Sequence, residues 1–205
     1  MPGKGCSMRI MGISGSPRRG GNSDLILGKI LEGAGEHGAQ TESVYLSNLS
    51  FSSCVGCERC RKDQICTRFE DDLTPLYPGI LEARGMVLVS PVYNYNLTSW
   101  MKAFIDRLYC FYEFDDERPR GWSSRLADQG RKALLAIVAE QISDKDLGVT
   151  MEAMRLPIQA LGYEILDEIP VTGMFEAGAV GKHPDVLDRA TEMGISLIKS
   201  LESSV

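Results

Sequence analysis

The chain has 205 residues, of which 43% are hydrophobic and 24% charged, which suits one α/β domain that buries a core without covalent staples. The net charge of −6 argues against a nucleic-acid or anionic-membrane surface, so neither a nucleic acid nor a membrane is expected as a partner. Without an apolar signal segment or membrane span, the expected location is the cytoplasm.

Five predicted strands alternate with helices along the chain. The strands are MRIMGIS from Met8, QTESVYLS from Gln40, GMVLVSPVY from Gly85, KALLAIVA from Lys132 and YEILDEIPV from Tyr163. Helices are predicted to begin at Asn22 or Ser23, either of which is a good N-cap, and to cover about 72–83, 98–111, 144–161 and 184–203. This alternation predicts a parallel sheet with helices on both faces.

The composition of the strands predicts their order. The first, third and fourth are nearly continuous apolar runs, as expected where both faces are covered. The second and fifth are more polar, and the fifth contains Pro170, which is tolerated at a sheet edge. Right-handed crossovers then give the order 2-1-3-4-5, a flavodoxin-like three-layer α/β sandwich. Residues 1–205 are expected to form this single domain, with a cysteine-rich insertion at about 50–70.

The segment SGSPRRGGNSD, residues 14–24, joins the first strand to a helix N-terminus. Backbone N–H groups and the helix dipole attract an anion at such a place. A terminal phosphate suits the polar groups of this segment, which belong to Ser14, Ser16, Arg18, Arg19, Asn22 and Ser23. The segment lacks the lysine of a nucleotide-hydrolysing P-loop and the GxGxxG dinucleotide fingerprint. The alternative is a polar turn that binds nothing.

The third strand continues into SPVYNYNLTSWMKAFIDR. In the predicted order, the first and third strands flank the point where ligands bind. Residues 91–94 place a bend, an aromatic ring and an amide there, beside the phosphate loop. A flat heterocycle could stack on Tyr93 or Tyr95, with Asn94 reaching its polar edge. Tyrosines that only pack the loop are the alternative.

Together, these two loops resemble those of the NADPH-dependent FMN reductase superfamily, and the resemblance covers nearly the whole chain. It implies that the first loop holds the phosphate of FMN and that the second lines the flavin ring. The cofactor-binding residues so implied are Ser14, Ser16, Pro17, Arg18, Asn22, Ser23, Pro91, Val92, Tyr93 and Asn94. The loop after the fourth strand, AEQISDKD, lacks the glycines found in many flavodoxin-like oxidoreductases, so its contribution is left open.

Four cysteines have the spacing C-x2-C-x2-C-x5-C, at Cys54, Cys57, Cys60 and Cys66. In a cytoplasmic chain, clustered cysteines favour metal binding or catalysis over disulfides. Structural zinc usually joins two C-x2-C pairs across a long spacer, which this segment lacks. Short spacers and a flexible Gly56 can aim four thiolates at a [4Fe–4S] cluster, and Arg59, Arg61 and Lys62 can offset their charge. Zinc, disulfides and a reduced loop without metal are the alternatives.

The cysteine spacing is similar to that of the iron–sulfur flavoprotein branch of the superfamily. The resemblance implies an FMN-dependent oxidoreductase or electron-transfer protein that relays electrons between a [4Fe–4S] cluster and FMN. The expected donor is ferredoxin or NAD(P)H, and the expected acceptor is a small molecule. Because the cofactors carry the chemistry, no catalytic acid–base residue is nominated.

The resemblance also implies a homodimer or homotetramer in which one subunit's cluster lies near another's flavin. The stretch LYCFYEF, residues 108–114, is expected to supply apolar contact surface, whereas core packing or a chance surface position is expected to explain Cys6 and Cys110. Two alternative functions are a cluster-free NAD(P)H-dependent FMN reductase acting on quinones or nitro compounds, and a flavodoxin-type carrier without substrate turnover. A redox-sensing binding module ranks last, because the sequence offers no DNA-binding element.

Overall fold

A parallel sheet forms the centre of the protein, in a computed structural model that describes residues 8–204. The strands in chain order are β1 (Arg9–Ser14), β2 (Gln40–Tyr45), β3 (Gly85–Pro91), β4 (Tyr112–Phe114), β5 (Trp122–Ser124), β6 (Lys132–Val138) and β7 (Glu164–Val171). The central sheet has the order β2-β1-β3-β6-β7, and all its neighbouring strands are parallel. The predicted flavodoxin-like order is therefore confirmed, including β2 and β7 as edges.

The helices are α1 (Asn22–Glu36), α2 (Cys60–Asp63), α3 (Leu76–Glu82), α4 (Ser99–Arg107), α5 (Thr150–Ala160) and α6 (Pro184–Glu202). Short 3-10 turns cover Leu46–Asn48, Leu108–Phe111, Asp144–Leu147 and Ala179–Lys182. Two of the predicted helices, at 98–111 and 144–161, thus divide into an α-helix and a 3-10 turn. Within residues 8–204, no helix is both long and apolar enough to cross a bilayer.

The start of α1 differs from the prediction in one respect. The N-cap is Gly21, which offers no side chain to the helix, whereas Asn22 and Ser23 already lie inside the first turn. The expectation that one of them caps the helix was therefore wrong. By contrast, Thr98 caps α4, because its Oγ accepts a hydrogen bond of 3.3 Å from the Met101 N–H.

Two apolar cores lie on opposite faces of the sheet. Met86 and Leu88 of β3 enter the core beneath α3, α4 and α5, whereas Val87 and Val89 enter the core beneath α1 and α6. Successive residues of a strand point to opposite faces, so a strand buried on both sides needs apolar residues throughout. This burial explains the continuous apolar runs on which the strand prediction depended.

Two glycines set the distance between α1 and α6. A Cβ atom at Gly194 would collide with the Ile30 carbonyl oxygen, and one at Gly33 would collide with the Thr191 carbonyl oxygen. The helices can therefore approach this closely only with glycine at both positions. Their packing fixes the position of α1, whose first turn lies at the carboxyl edge of the sheet.

The antiparallel pair β4–β5 was not predicted from the sequence. Its aromatic side chains pack on one another, with 5.4 Å between the ring centres of Tyr112 and Trp122. Part of the prediction for residues 108–114 was wrong, because Leu108, Cys110 and Phe111 are buried in the core rather than exposed. The 3-10 turn after α4 directs these three side chains inward.

Candidate functional site

The loop after β1 is organised around Asp24, in the first turn of α1. Its carboxylate accepts hydrogen bonds from Ser14 Oγ at 2.8 Å, from the Gly20 N–H at 2.9 Å and from Arg19 Nη1 at 2.6 Å. The Asp24 side chain is only 6% exposed, so the Arg19 cation compensates a buried carboxylate. The charge of Arg19, which was expected to serve a phosphate, is used within the loop instead.

Arg18 lies at the mouth of the same loop, and its side chain is exposed. Its backbone N–H donates to Ser16 Oγ at 3.1 Å, and its guanidinium donates to the Phe175 carbonyl at 3.0 Å. Among residues 8–204, no carboxylate forms an ion pair with it. An anion at the start of α1 would therefore meet an uncompensated cation as well as the helix dipole.

Asn22 connects the start of α1 to the loop after β7. Its Nδ2 donates to the Glu176 carbonyl at 2.9 Å, and its Oδ1 accepts from the Val180 N–H at 3.0 Å. Both ends of the amide thus hold the two loops together in this structure. Direct binding of a phosphate by Asn22 stays a prediction.

The loop after β3 is a tight two-residue turn. The backbones of Tyr93 and Asn96 exchange hydrogen bonds of 2.8 and 3.0 Å, and the residues between them, Asn94 and Tyr95, have φ values of 49° and 65°. Positive φ at both central positions is typical of a type I′ turn. The Tyr95 carbonyl also accepts a hydrogen bond of 3.0 Å from the Val149 N–H, which helps to hold an uncommon backbone conformation for a tyrosine.

One cleft at the carboxyl edge of the sheet brings these loops together. It is lined by Ser16, Arg18, Asn22, Ser23, Pro91, Val92, Tyr93, Val138, Glu140, Met174, Phe175 and Ala177. Of the predicted cofactor-binding residues, Ser14 lies buried beneath the loop, Pro17 is not part of the lining, and Asn94 lines an adjoining cleft with Tyr95. The other seven predicted residues all line the main cleft.

Sequence reasoning missed the loop after β7 and left the loop after β6 open. Met174 and Phe175 follow β7, and Glu140 follows β6. All three line the main cleft, and Glu140 also lines the adjoining one. Their position after parallel strands was the available signal, since the carboxyl ends of such strands meet at one edge. The cleft thus offers an anion site at α1 and an exposed aromatic ring, Tyr93, at the β3 loop.

A second cleft is lined by all four clustered cysteines. Cys54 and Cys57 are exposed, whereas Cys60 and Cys66 are half-buried and pack against the apolar core. Gly56, with φ of 64°, turns the chain between the first two thiols, which confirms the conformational role predicted for it. The segment lies between β2 and α3, as predicted for the insertion.

The arrangement of the thiols does not suit a single metal ion. Within residues 8–204, no group of three or more His, Cys, Asp or Glu side chains is placed to hold one ion. Tetrahedral zinc requires such convergence on one atom, whereas the four thiolates of a [4Fe–4S] cluster bind four different irons. Among the described residues, the four thiols therefore do not form a tetrahedral zinc site.

Burial and repulsion between thiols disfavour the thiolate forms of Cys60 and Cys110. Burial, with added repulsion from the charges of Cys66 and Cys54, raises the pKa of Cys60 to about 11. Burial, with repulsion from Cys60, raises the pKa of Cys110 to about 12. Core packing was one of the two explanations offered for Cys110, and Cys110 is indeed buried, but the 3-10 turn after α4 also brings it into the same cleft. Cys6 lies outside the described residues.

Arg107 closes the cysteine segment at its base. This buried guanidinium donates to the Ser52 carbonyl at 2.8 Å, to both oxygens of Asp71 at 2.7 and 3.1 Å, and to Tyr77 Oη at 3.1 Å. Asp71 also accepts from the Ser52 N–H at 3.2 Å. Burial opposes the charge of Asp71, but the hydrogen bonds from Arg107 and Ser52 prevail and lower the pKa of Asp71. The two ends of the segment are therefore tied at one ion pair.

Of the nearby basic residues, Arg61 forms ion pairs with two carboxylates. It lies 3.6 Å from Glu58 and 3.5 Å from Asp116. Arg120 adds a bond of 3.0 Å to Glu58 and lowers the pKa of that carboxyl. The charge of Arg61 is thus shared with these acids, so less of it is available to offset thiolates than the sequence suggested.

Helix α4 connects the two clefts. At its beginning, Thr98 Oγ donates a hydrogen bond of 2.8 Å to the Gly15 carbonyl of the β1 loop. At its end, Arg107 binds the base of the cysteine segment. The nine residues of the helix span about 14 Å at a rise of about 1.5 Å per residue.

Comparison with known families gives a match to the family described as NADPH-dependent FMN reductase, over residues 8–127. An iron–sulfur flavoprotein of Methanosarcina thermophila is 40% identical over 100 residues, which are 49% of this chain and 52% of that protein. The chain thus spans about half the length of that relative. An iron–sulfur flavoprotein of Archaeoglobus fulgidus is 36% identical over 165 residues, which are 80% of this chain and 75% of that protein.

Solved structures of the same fold include an NAD(P)H:quinone oxidoreductase from Methanothermobacter marburgensis. It superposes with a TM-score of 0.70 at 22% identity, over 94% of this chain and 100% of that one. An FMN-dependent NADH-azoreductase from Bacillus anthracis, in complex with FMN, has a TM-score of 0.67 at 16% identity, over 95% of this chain and 99% of that one. At these identities the likeness shows a shared fold.

Proposed function

The chain belongs to the iron–sulfur flavoprotein branch of the NADPH-dependent FMN reductase family, and we propose that it is an FMN-dependent oxidoreductase that relays electrons between a [4Fe–4S] cluster and FMN. The observation that carries this proposal is that the loops after β1 and β3 line one cleft while four cysteines line another. When bound, FMN supplies hydride or one-electron transfer and a cluster supplies one-electron transfer.

The residues that line the main cleft suit FMN. Ser16, Ser23 and Arg18 surround the start of α1, where the helix dipole and the Arg18 guanidinium would bind the phosphate. Pro91 to Asn94 would line the flavin ring, and the exposed ring of Tyr93 offers a stacking surface. Ser14 would act indirectly, because its hydroxyl is bound to Asp24. Glu140 adds a carboxylate to the same cleft.

Cys54, Cys57, Cys60 and Cys66 would hold the cluster. The half-buried Cys60 and Cys66 pack against the apolar core and keep water from that side of the cleft, which influences the reduction potential. The exposed Cys54 and Cys57 lie on the outer side, where an electron donor can approach. Arg107 would keep the segment closed while the metal is bound.

We further propose ferredoxin or NAD(P)H as the donor and a small molecule as the acceptor. A homodimer or homotetramer would place the cluster of one subunit near the flavin of another. The exposure of both the outer cysteines and Tyr93 supports this arrangement, since each site reaches the protein surface. Iron–sulfur flavoproteins among the relatives support the cluster, by name.

The test is anaerobic reconstitution of the purified chain with FMN, iron and sulfide. We expect bound FMN together with iron and acid-labile sulfide in the ratio of a [4Fe–4S] cluster, and a visible spectrum with both flavin and sulfur-to-iron bands. FMN without iron would indicate the cluster-free reductase instead. A protein that binds both FMN and a cluster, and is reduced and reoxidised with ferredoxin, but oxidises no NAD(P)H with quinones, would be an electron carrier without substrate turnover. Failure to bind FMN would refute the proposal.

A further inference from the structure

The cleft of the clustered cysteines contains a fifth thiol outside the C-x2-C-x2-C-x5-C spacing. Cys110 lies in the 3-10 turn that follows α4, and it is only 2% exposed. Its side chain lines the same cleft as Cys54, Cys57, Cys60 and Cys66. Its Sγ lies 3.5 Å from the Arg107 carbonyl, to which it donates.

Cys110 lies on the inner side of this cleft. It belongs to the apolar core against which Cys60 and Cys66 pack, whereas Cys54 and Cys57 are exposed. Helix α2, which begins at Cys60, packs against the 3-10 turn that carries Cys110. Cys60 is therefore the motif thiol with which Cys110 is most closely associated.

The two thiols differ in how firmly the fold holds them. Cys60 begins α2, a helix of four residues that follows two positions of positive φ, Gly56 and Glu58. So short a helix has little stability of its own. Cys110, in contrast, follows α4 directly and is buried in the core. Cys110 thus lines the cleft from the core, in a position that does not depend on the short helix α2.

We propose that Cys110 is a reserve cluster ligand that can replace Cys60. The inference rests on the proposed [4Fe–4S] cluster. In the exchange, the Cys110 thiol releases its proton to water and its sulfur forms one Fe–S bond. The Fe–S bond to Cys60 breaks, and the Cys60 thiolate takes up a proton. Protons balance, and no electron is gained or lost.

The test compares iron uptake by four variants after anaerobic reconstitution: Cys60→Ala and Cys54→Ala, each with and without Cys110→Ala. Alanine is used because it cannot ligate iron. We expect Cys60→Ala to retain a cluster, with an altered electron paramagnetic resonance signal in the reduced state. Adding Cys110→Ala should abolish that cluster. Adding Cys110→Ala to Cys54→Ala should change iron content much less, because Cys54 lies on the outer side.

Several results would overturn the proposal. Equal iron in Cys60→Ala with and without Cys110→Ala would show that Cys110 is no ligand. An equal further loss in the Cys54 pair would show a general effect on the fold. Circular dichroism and FMN uptake check folding, and Cys110→Val, which fills the space left by the thiol, replaces alanine if folding fails. Wild-type protein that binds FMN but no cluster would overturn both this inference and the proposed relay. If the wild type does bind a cluster, the variants test the role of Cys110 alone.

Discussion

Replacement of Arg107 by methionine tests how the cysteine segment is held closed. Methionine keeps most of the apolar volume but removes the cation, and it leaves Asp71, the Ser52 carbonyl and Tyr77 without four hydrogen bonds. Breaking a buried ion pair by removing one partner costs about 3–5 kcal/mol. Since the whole domain has a free energy of unfolding of about 5–15 kcal/mol, a large part of it depends on this residue.

Urea denaturation of the reduced, metal-free protein measures this loss. The matched control is Arg61→Met, which breaks the more exposed ion pairs with Glu58 and Asp116 and should cost at most about 1 kcal/mol. Limited proteolysis should in addition cut the Arg107 variant faster within residues 53–70. A loss of less than about 1 kcal/mol, with unchanged proteolysis, would refute the role of Arg107 as a clamp.

The same ion pair predicts a pH dependence. Asp71 has a lowered pKa in the folded state, so its contribution to stability is complete above its ordinary value of 3.8 and is lost as pH falls through the folded value. The difference in unfolding free energy between wild type and Arg107→Met should therefore be constant near neutral pH and shrink below about pH 4. Denaturation series at several pH values measure it, and a constant difference down to pH 2 would contradict the assignment.

Three further substitutions test the nucleotide cleft and its support. Gly194→Ala should lower the free energy of unfolding, measured by thermal denaturation, by about 1–3 kcal/mol, because the methyl group meets the Ile30 carbonyl. The control Gly28→Ala, with open space around it, should raise that free energy by about 0.5–1 kcal/mol. Equal effects would contradict the close approach of α1 and α6. Arg18→Gln should weaken FMN binding by about tenfold in a fluorescence titration, with less effect at high salt. The control Arg189→Gln, at a remote ion pair, should leave FMN affinity unchanged. Equal affinities of the two variants would exclude a contact between Arg18 and the phosphate. Asp24→Asn should weaken FMN binding and lower the free energy of unfolding together, because Arg19 and Ser14 lose their common partner; unchanged binding would show that the loop keeps its shape without the carboxylate.

The sheet was predictable from the sequence because burial dictates strand composition. β3 and β6 are covered on both faces, so they need apolar residues at every position, whereas the edge strands β2 and β7 admit polar ones. β4 and β5 were missed, since strands of three residues leave too little alternation to detect. Their packing depends on aromatic contacts such as Tyr112 with Trp122, which periodicity does not reveal.

The location of the nucleotide cleft was also predictable, but the partners of individual side chains were not. Topology alone places the loops after β1 and β3 side by side. No local sequence pattern encodes the ion pair between Arg19 and Asp24. Nor does a local pattern encode the hydrogen bonds of the Asn22 amide, whose backbone partners lie more than 150 residues away. The place of Cys110 in the cysteine cleft was not predicted for the same reason, since 50 residues separate it from Cys60 in the sequence.

Because α4 is tethered at both ends, it behaves as a rigid strut whose length sets the spacing of the two clefts within one subunit. Loosening of either surface loop leaves that spacing unchanged, since neither loop determines it. Phe104 is buried near the middle of the helix. A change in its packing would move the whole helix and so displace both of its ends at once. Core packing therefore determines the distance between the nucleotide cleft and the cysteine cleft. Substitutions in the loops can change the reactivity of either site without changing that distance.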